Sequence, residues 1–243
     1  MTIPPVLDWD ASRPPPRLAL RPAGRRIAGG GSSGAVTSPF DFSAAMRTLC
    51  EDVVRQSALF GHVDLSRVLF TITRSRNGYR HGLQARVTPL RFRGGQMITV
   101  YRGVPYQVQR LTLHGRDMLY LVTFCLPRFL NRDFEDKLVT VFHELYHIGP
   151  AFDGDLRRHE GRYSTHTASQ KRLDAHMAKL AGEYLNDGAD ADRHAFLRLS
   201  FAELCRRHGG VVGLHVPRPK LVRITPPPRP APPTGPLPPD MPG

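Results

Sequence analysis

Long apolar segments are missing from this sequence. No run approaches the roughly 20 apolar residues that a transmembrane helix requires. The N-terminus, MTIPPVLDWDASRPPPR, lacks the basic start and the apolar stretch of a secretory signal. We therefore expect a cytoplasmic protein that does not contact a membrane.

Cysteine is scarce and is limited to Cys50, Cys125 and Cys205. The number is odd, and none of the three belongs to a CxxC pair. Both observations argue against a disulfide framework and against a cysteine zinc knuckle. We expect three buried, reduced thiols.

Acidic residues and lysine are both few. The chain has 21 Asp and Glu against 34 Lys and Arg, which gives a formal net charge of +13. The imbalance is greatest over residues 67–116, which contain ten arginines and no Asp or Glu. These arginines are residues 67, 74, 76, 80, 86, 91, 93, 102, 110 and 116. Aromatic residues are interleaved with them, namely Phe70, Tyr79, Phe92, Tyr101 and Tyr106.

The arginine-rich stretch has two interpretations. Alternate residues on a strand share a face, so part of this set is expected to form one basic surface. Such a surface would bind the phosphates of DNA or RNA, and the aromatic rings would stack on unpaired bases. The alternative is a solvated arginine face that aids solubility and pairs with acidic groups on the helices.

Regular apolar spacing is absent at both ends of the chain. Residues 1–37 are rich in Pro, Gly and Arg, and residues 216–243 end in PPPRPAPPTGPLPPDMPG. Such compositions cannot build a core, so we expect two disordered tails. The remaining residues, 38–215, predict one folded domain, which suits the length of the chain.

The domain is predicted to be α+β, with a small and mainly antiparallel sheet packed on a helix. Apolar spacing predicts helices at about 41–60, 134–148, 168–186 and 191–207. Strands are predicted at 68–73, near 83–92 and at 97–101. A hairpin is predicted from residues 106–113 and 118–124, joined by a turn at 114–117.

His143-Glu144-Leu145-Tyr146-His147 is an HExxH sequence inside the clearest of these helices. Residues i and i+4 share a helical face, so both imidazoles can reach one metal ion. The pair predicts a zinc site. Glu144 projects beside the pair, where it would hold a zinc-bound water and accept its proton, because zinc lowers the pKa of such a water to about 7.

A catalytic zinc usually has a third protein ligand, and the segment after the helix offers several. His166 stands just before a predicted helix, which would fix its position. His159 lies in a highly charged run. Asp153 has the spacing of the third ligand in HExxHxxGxxH sites, although a proline replaces the glycine of that pattern. We predict His166 or His159 as the third ligand, with Asp153 as a further alternative and His176 as a helix-surface residue.

The residues from Leu138 to Ile148, followed by FDGDLRR at 152–158, resemble the phage metallopeptidase family of HExxH zincins. The sequence is more distantly similar to the SprT-like metalloproteases, which include Spartan. The resemblance is strongest over about 118–180. It implies a minimal zincin core, with His143 and His147 as zinc ligands and Glu144 as the catalytic glutamate. The SprT-like pattern favours His166 as the third ligand, and some phage-type sequences favour His159.

We therefore predict a zinc metallopeptidase that hydrolyses peptide bonds in a protein or peptide substrate, with Zn2+ as its cofactor. If the arginine-rich region binds DNA or RNA, the substrates would be proteins associated with nucleic acid. The alternative is a nucleic-acid-binding module whose zinc site is structural or vestigial.

Overall fold

The computed structural model describes residues 6–22, 38–79, 81–158 and 170–224. Within these ranges the chain forms five α-helices and twelve β-strands, which confirms a mixed α and β architecture. The helices are α1 (Phe42–Gln56), α2 (Phe134–Tyr146), α3 (Gln170–Asn186), α4 (Ala191–His194) and α5 (Phe201–His208). The strands are β1 (Val6–Trp9), β2 (Arg17–Leu20), β3 (Phe40–Asp41), β4 (Val68–Arg74), β5 (Ala85–Pro89), β6 (Ile98–Tyr101), β7 (Val104–Val108), β8 (Arg110–Leu113), β9 (Arg116–Asp117), β10 (Tyr120–Leu126), β11 (Val211–Leu214) and β12 (Leu221–Arg223).

The central sheet has six strands and is mixed. Its order is β2-β11-β4-β10-β5, and β3 pairs with β11 beside this path. Strands β4 and β10 are parallel along their whole length, from Val68 opposite Tyr120 to Arg74 opposite Leu126. Strand β11 is also parallel to β4 and β3, whereas β5 and β2 are antiparallel to their neighbours. The prediction of a mainly antiparallel sheet is therefore wrong for this sheet.

The central sheet separates two hydrophobic cores. Neighbouring residues of a strand point to opposite faces, so Phe70 faces the helices while Leu69 faces away from them. The larger core includes Phe42 of α1 and Phe142 of α2. The smaller core lies between the central sheet and a second sheet of order β1-β8-β9, and its buried residues are Trp9, Leu69, Leu90, Leu111, Met118, Leu121 and Val216.

The folded region extends beyond the predicted domain of 38–215 at both ends. Strand β1 pairs in parallel with β8, and β2 pairs with β11. Trp9 and Leu20 are buried, at 5% and 2% exposure. Strand β12 likewise lies within the predicted C-terminal tail. The prediction of disordered tails is therefore wrong for residues 6–22 and 216–224. Strands of three or four residues that depend on distant partners leave no periodic signal in a proline-rich sequence.

The predicted hairpin of residues 106–113 and 118–124 is wrong in its pairing, although its turn is in the right place. His114 and Gly115 both have positive φ, at 51° and 72°, as a tight two-residue hairpin turn requires. The turn joins β8 to the short strand β9. Strand β10 then enters the central sheet between β4 and β5.

A third sheet has the order β12-β7-β6.

All three cysteines are buried and free, as the sequence predicted. Among the described residues, no helix is both long enough and apolar enough to cross a membrane.

Candidate metal centre and edge strand

Helix α2 carries the HExxH sequence and is fixed by its buried face. Leu138, Val141, Phe142 and Leu145 are all buried in the larger core. Acidic residues occupy the first turn, where the positive end of the helix dipole favours them. Asp133 occupies the N-cap position, but its side chain makes no capping hydrogen bond to the helix.

The structure places His143 and His147 side by side. Their ring centroids are 4.7 Å apart, with an angle of 72° between the ring planes. His147 is the C-cap residue of α2, and its φ and ψ of −69° and −16° are still helical. The i, i+4 relationship therefore holds to the end of the motif, and both imidazoles are presented on one face.

Glu144 directly follows His143 in the sequence. It is buried, with 7% of the residue exposed. Burial raises the pKa of its carboxyl to about 7, and a hydrogen bond from the backbone of Val87 acts in the opposite direction. An acidic group whose pKa lies near neutrality can both take and return a proton. Val87 belongs to β5, so this hydrogen bond links α2 to the edge of the central sheet.

Along β5, the backbone N–H and C=O groups of one residue hydrogen-bond to β10, and those of the next residue point away from it. The Leu90 N–H donates to the Leu119 carbonyl at 3.0 Å, and the Cys125 N–H donates to the Gln84 carbonyl at 2.8 Å. In an antiparallel pair, every second residue makes such bonds. Residues 84, 86, 88 and 90 are thus the ones whose backbone groups turn toward β10.

The odd-numbered residues of β5 turn their backbone groups outward. Pro89 occupies one of these positions, where its missing N–H costs the ladder nothing. The outward N–H of Val87 is the one that reaches Glu144. Strand β5 is the last in the order of the central sheet, so within the described residues no strand pairs with this edge.

The loop after α2 turns back across the C-terminal end of the helix. The Gly149 N–H donates to the Asp155 carbonyl at 3.2 Å, and the Arg157 N–H donates to the His147 carbonyl at 2.8 Å. The Arg157 guanidinium lies 4.4 Å from the centre of the Tyr146 ring. These contacts fix the backbone of His147, and they show that Tyr146 has a packing role.

Asp155 holds that loop against the turn after β5. Its carboxylate accepts hydrogen bonds from the Gly94 N–H at 3.0 Å, from the Leu156 N–H at 2.8 Å and from the Arg158 side chain at 2.8 and 2.9 Å. Burial acts to raise the pKa of this carboxyl, but the hydrogen bonds outweigh it and the pKa is lowered. The Tyr120 hydroxyl donates to the Asp155 carbonyl at 2.8 Å. The FDGDLRR segment thus has a structural role that the sequence did not reveal.

Asp174 of α3 is a residue of the site that the sequence analysis missed. Its Oδ1 lies 3.4 Å from Nδ1 of His143. A carboxylate behind a metal-binding histidine fixes the orientation of the ring and which nitrogen carries the proton. No local pattern marks Asp174, because the contact joins two helices that are distant in the chain.

The two predicted third ligands, His166 and His159, lie outside the described residues. Asp153 accepts a hydrogen bond from the Asp155 N–H at 3.0 Å, so it shapes the loop. His176 is exposed on α3, as predicted. Within the ranges that the structure covers, no group of three or more His, Cys, Asp or Glu residues is arranged to hold a metal ion.

Comparisons with protein-family models, with curated proteins and with solved structures give no match. The resemblance to the phage metallopeptidases therefore rests on the residues of this chain alone.

Three arginines of the basic stretch gather around Asp117. The Arg91 guanidinium is buried and pairs with its Oδ2, and Arg110 Nε lies 3.3 Å from its Oδ1. Arg67 Nε donates to the Asp117 carbonyl at 3.0 Å. Arg91 and Arg110 support the interpretation in which the arginines pair with acidic groups, although the partner lies on a strand and not on a helix. The exposed members of the stretch are Arg74, Arg76, Arg93, Arg102 and Arg116, and Arg80 lies outside the described residues.

Proposed function

We propose that this chain is a zinc-dependent metallopeptidase that hydrolyses peptide bonds. His143 and His147 would hold the zinc ion, and Glu144 would act as the general base. The observation that carries the proposal is a buried glutamate that directly follows the first of two adjacent imidazoles on α2 and lies beside the outward backbone of an edge strand.

The chemistry of the donors fits zinc. Neutral imidazole nitrogens are common zinc ligands, and catalytic sites combine three protein ligands with one open position. His159 or His166 would supply the third ligand. When bound, zinc supplies Lewis-acid polarisation of a carbonyl and lowers the pKa of a water molecule.

Glu144 is suited to move a proton between water and the leaving amine. Its carboxylate would take a proton from the attacking water and then give it to the departing nitrogen. The Val87 backbone lies next to the carboxylate and favours its ionised form. Burial makes both protonation states accessible near neutral pH, which suits a group that must accept and release a proton.

The edge of β5 is suited to bind an extended peptide. An added strand would pair with the outward backbone groups of Ala85 and with the Val87 carbonyl, as peptides do on other exposed sheet edges. The Val87 N–H is already directed at Glu144. Such pairing would bring the peptide backbone next to Glu144. We therefore place the substrate along β5, with an unfolded or extended segment of a protein as the preferred form.

The test combines metal content with hydrolysis of an unfolded protein. Elemental analysis should find about one zinc per chain in the wild type and little in His143→Ala. The Glu144→Gln variant should keep its zinc but hydrolyse fluorescein-labelled casein at least about 100-fold more slowly. His176→Ala, on the exposed side of α3, is the matched histidine control and should keep both properties.

Two results would contradict the proposal. One is a wild-type chain that contains no zinc and takes up none when zinc is supplied. The other is a zinc-loaded chain in which Glu144→Gln cleaves casein as fast as the wild type. Zinc binding without any hydrolysis would favour the alternative of a structural or vestigial zinc site in a binding module.

A further inference from the structure

The third sheet, formed by β6, β7 and β12, carries most of the large apolar side chains that the described residues leave exposed. Tyr101 and Val100 are 61% and 66% exposed. The others in or beside this sheet are Met97, Ile98 and Leu221, and only Tyr79 and Leu83 lie elsewhere. Tyr101 and Leu221 lie on one face of the sheet, and Ile98 and Val100 lie on the other. Exposed apolar side chains gathered on one small sheet indicate a surface that binds a partner.

The segments that form this sheet carry only basic charged side chains. Residues 91–116 and 211–224, which supply all three strands, contain no Asp or Glu. The exposed basic residues in these segments include Arg93, Arg102, Arg218, Lys220 and Arg223. None of these five has an acidic partner among the described residues, in contrast to the arginines around Asp117. The partner that this surface fits is therefore an anion.

The strand register separates two different faces of the third sheet. Thr99 lies opposite Tyr106, which lies opposite Arg223, and Tyr101 lies diagonally beside them on the same face. At the turn between β6 and β7, the Arg102 guanidinium lies 5.3 Å from the centre of the Tyr101 ring. The opposite face consists of Ile98, Val100, Pro105, Gln107 and Val222 and has no charged side chain.

We infer that the Tyr101–Tyr106–Arg223 face of the third sheet binds single-stranded nucleic acid. Unpaired bases stack on aromatic side chains, and neighbouring cations bind the phosphates. The face offers both, with arginine against one ring and arginine opposite the other. The inference does not rest on the proposed peptidase function, because it uses no residue of the candidate metal centre.

The face matches nucleic acid better than a lipid surface. Membrane-binding elements insert a continuous apolar face and keep their charges at its border. The face of Tyr101, Tyr106 and Arg223 mixes rings with cations, and the Arg102 guanidinium lies 5.3 Å from the centre of the Tyr101 ring. The uncharged face of Ile98 and Val100 is the opposite one. Stacking also predicts a preference for single strands, since bases in a duplex are not available to the rings.

The experiment measures binding of the full chain to fluorescein-labelled single-stranded DNA of about 20 nucleotides, by fluorescence anisotropy over a range of salt concentrations. Tyr101→Ala should weaken binding by at least about fivefold, whereas Tyr101→Phe should stay within about twofold, since stacking needs the ring and not the hydroxyl. Arg223→Ala should weaken binding and reduce the salt slope by about one. Arg207→Ala removes the same charge from α5 and should change binding by less than about twofold.

Two further measurements sharpen the result. Glu144→Gln should bind DNA as tightly as the wild type, because the proposed face includes no residue of the candidate metal centre. A failure of the peptidase proposal would therefore not contradict this inference. The duplex of the same sequence should bind more weakly than the single strand. Equal binding by Tyr101→Ala and the wild type would overturn the inference, as would binding to phosphatidylserine vesicles without binding to the oligonucleotide.

Discussion

The carboxylate of Asp174 faces the Nδ1 atom of His143 at 3.4 Å, so a residue of α3 is in contact with the first histidine of the HExxH sequence. At this distance the carboxylate favours a proton on Nδ1, which makes Nε2 the nitrogen whose lone pair can bind a metal. Carboxylates in this position also raise the basicity of the imidazole. Helix α3 is therefore coupled to the candidate metal centre.

Asp174→Ala should lower the affinity for zinc by about 10-fold to 100-fold, because the His143 ring loses the group that orients it. The fold should not change, since half of the Asp174 side chain, 51%, is exposed. Competition with a zinc chelator measures the affinity, and a thermal melt of the metal-free chain checks the fold.

Asp187→Ala is the matched control for this experiment. Asp187 is exposed just beyond the end of α3, and its replacement removes the same charge from the same region. If both variants bind zinc equally well, Asp174 does not position His143.

Gly154→Ala should destabilise the chain more than Gly188→Ala does, by at least about 1 kcal/mol. Both glycines have nearly the same backbone conformation, with φ of +93° and +94°, so both substitutions bear the strain of a positive φ. At position 154, however, the new Cβ would lie 2.5 Å from Cγ of Arg91, whereas nothing lies within 4 Å at position 188. Arg91 cannot easily move, because it is buried and paired with Asp117.

Urea denaturation of both variants measures this difference directly. Equal shifts of the two midpoints would mean that the loop after α2 can move away from Arg91. In that case the loop would not be a rigid support for the end of the helix.

The helix that carries the motif could be predicted from the sequence because its information is local. The buried side chains of α2 recur at helical spacing, and the histidines are separated by one turn. Local signals also explain one error. Ser200 and Glu203 form a capping box at the start of α5, which marks a new helix inside the single helix predicted over 191–207.

The strand pairing and half of the site depend on contacts between distant segments. Strands β4 and β10 are buried along nearly their whole length, which is typical of parallel strands covered on both faces. That pattern was available in the sequence. In contrast, nothing local indicates that Val87 would reach Glu144 or that Asp174 would reach His143. Such contacts arise only when the sheet and the helices pack together.

Asp52→Asn should destabilise the chain by at least about 2 kcal/mol at neutral pH, and this difference should shrink in acid. Asp52 is fully buried and accepts hydrogen bonds from the Tyr184 hydroxyl at 2.7 Å, from Gln56 at 2.9 Å and from the Asp190 N–H at 3.2 Å, while Arg55 pairs with it. Burial acts to raise its pKa, but these hydrogen bonds outweigh burial and lower the pKa to about 2.

The sign of this pH dependence follows from the lowered pKa. The folded chain holds the carboxylate ionised where the unfolded chain, with a pKa near 3.9, takes up a proton. The stabilisation is therefore complete above about pH 5 and is lost as the pH falls toward 2. Urea denaturation of the wild type and of Asp52→Asn at several pH values measures it, and a constant difference down to pH 2 would contradict this account.

The free energy of unfolding of the wild type should increase relative to that of Lys137→Met as the pH rises from about 8 to about 10. Lys137 is a buried residue of α2, and its Nζ donates to the carbonyls of Leu130 at 2.9 Å and Leu199 at 3.0 Å. Burial lowers the pKa of this amine to about 8, so the folded chain releases a proton that the unfolded chain keeps until about pH 10.4. The neutral amine still has two N–H groups for the two carbonyls, so deprotonation removes the cost of a buried charge without breaking either hydrogen bond. Denaturation curves of both proteins across this pH range measure the effect, and a wild type that loses stability relative to Lys137→Met would show that the amine is held as a cation.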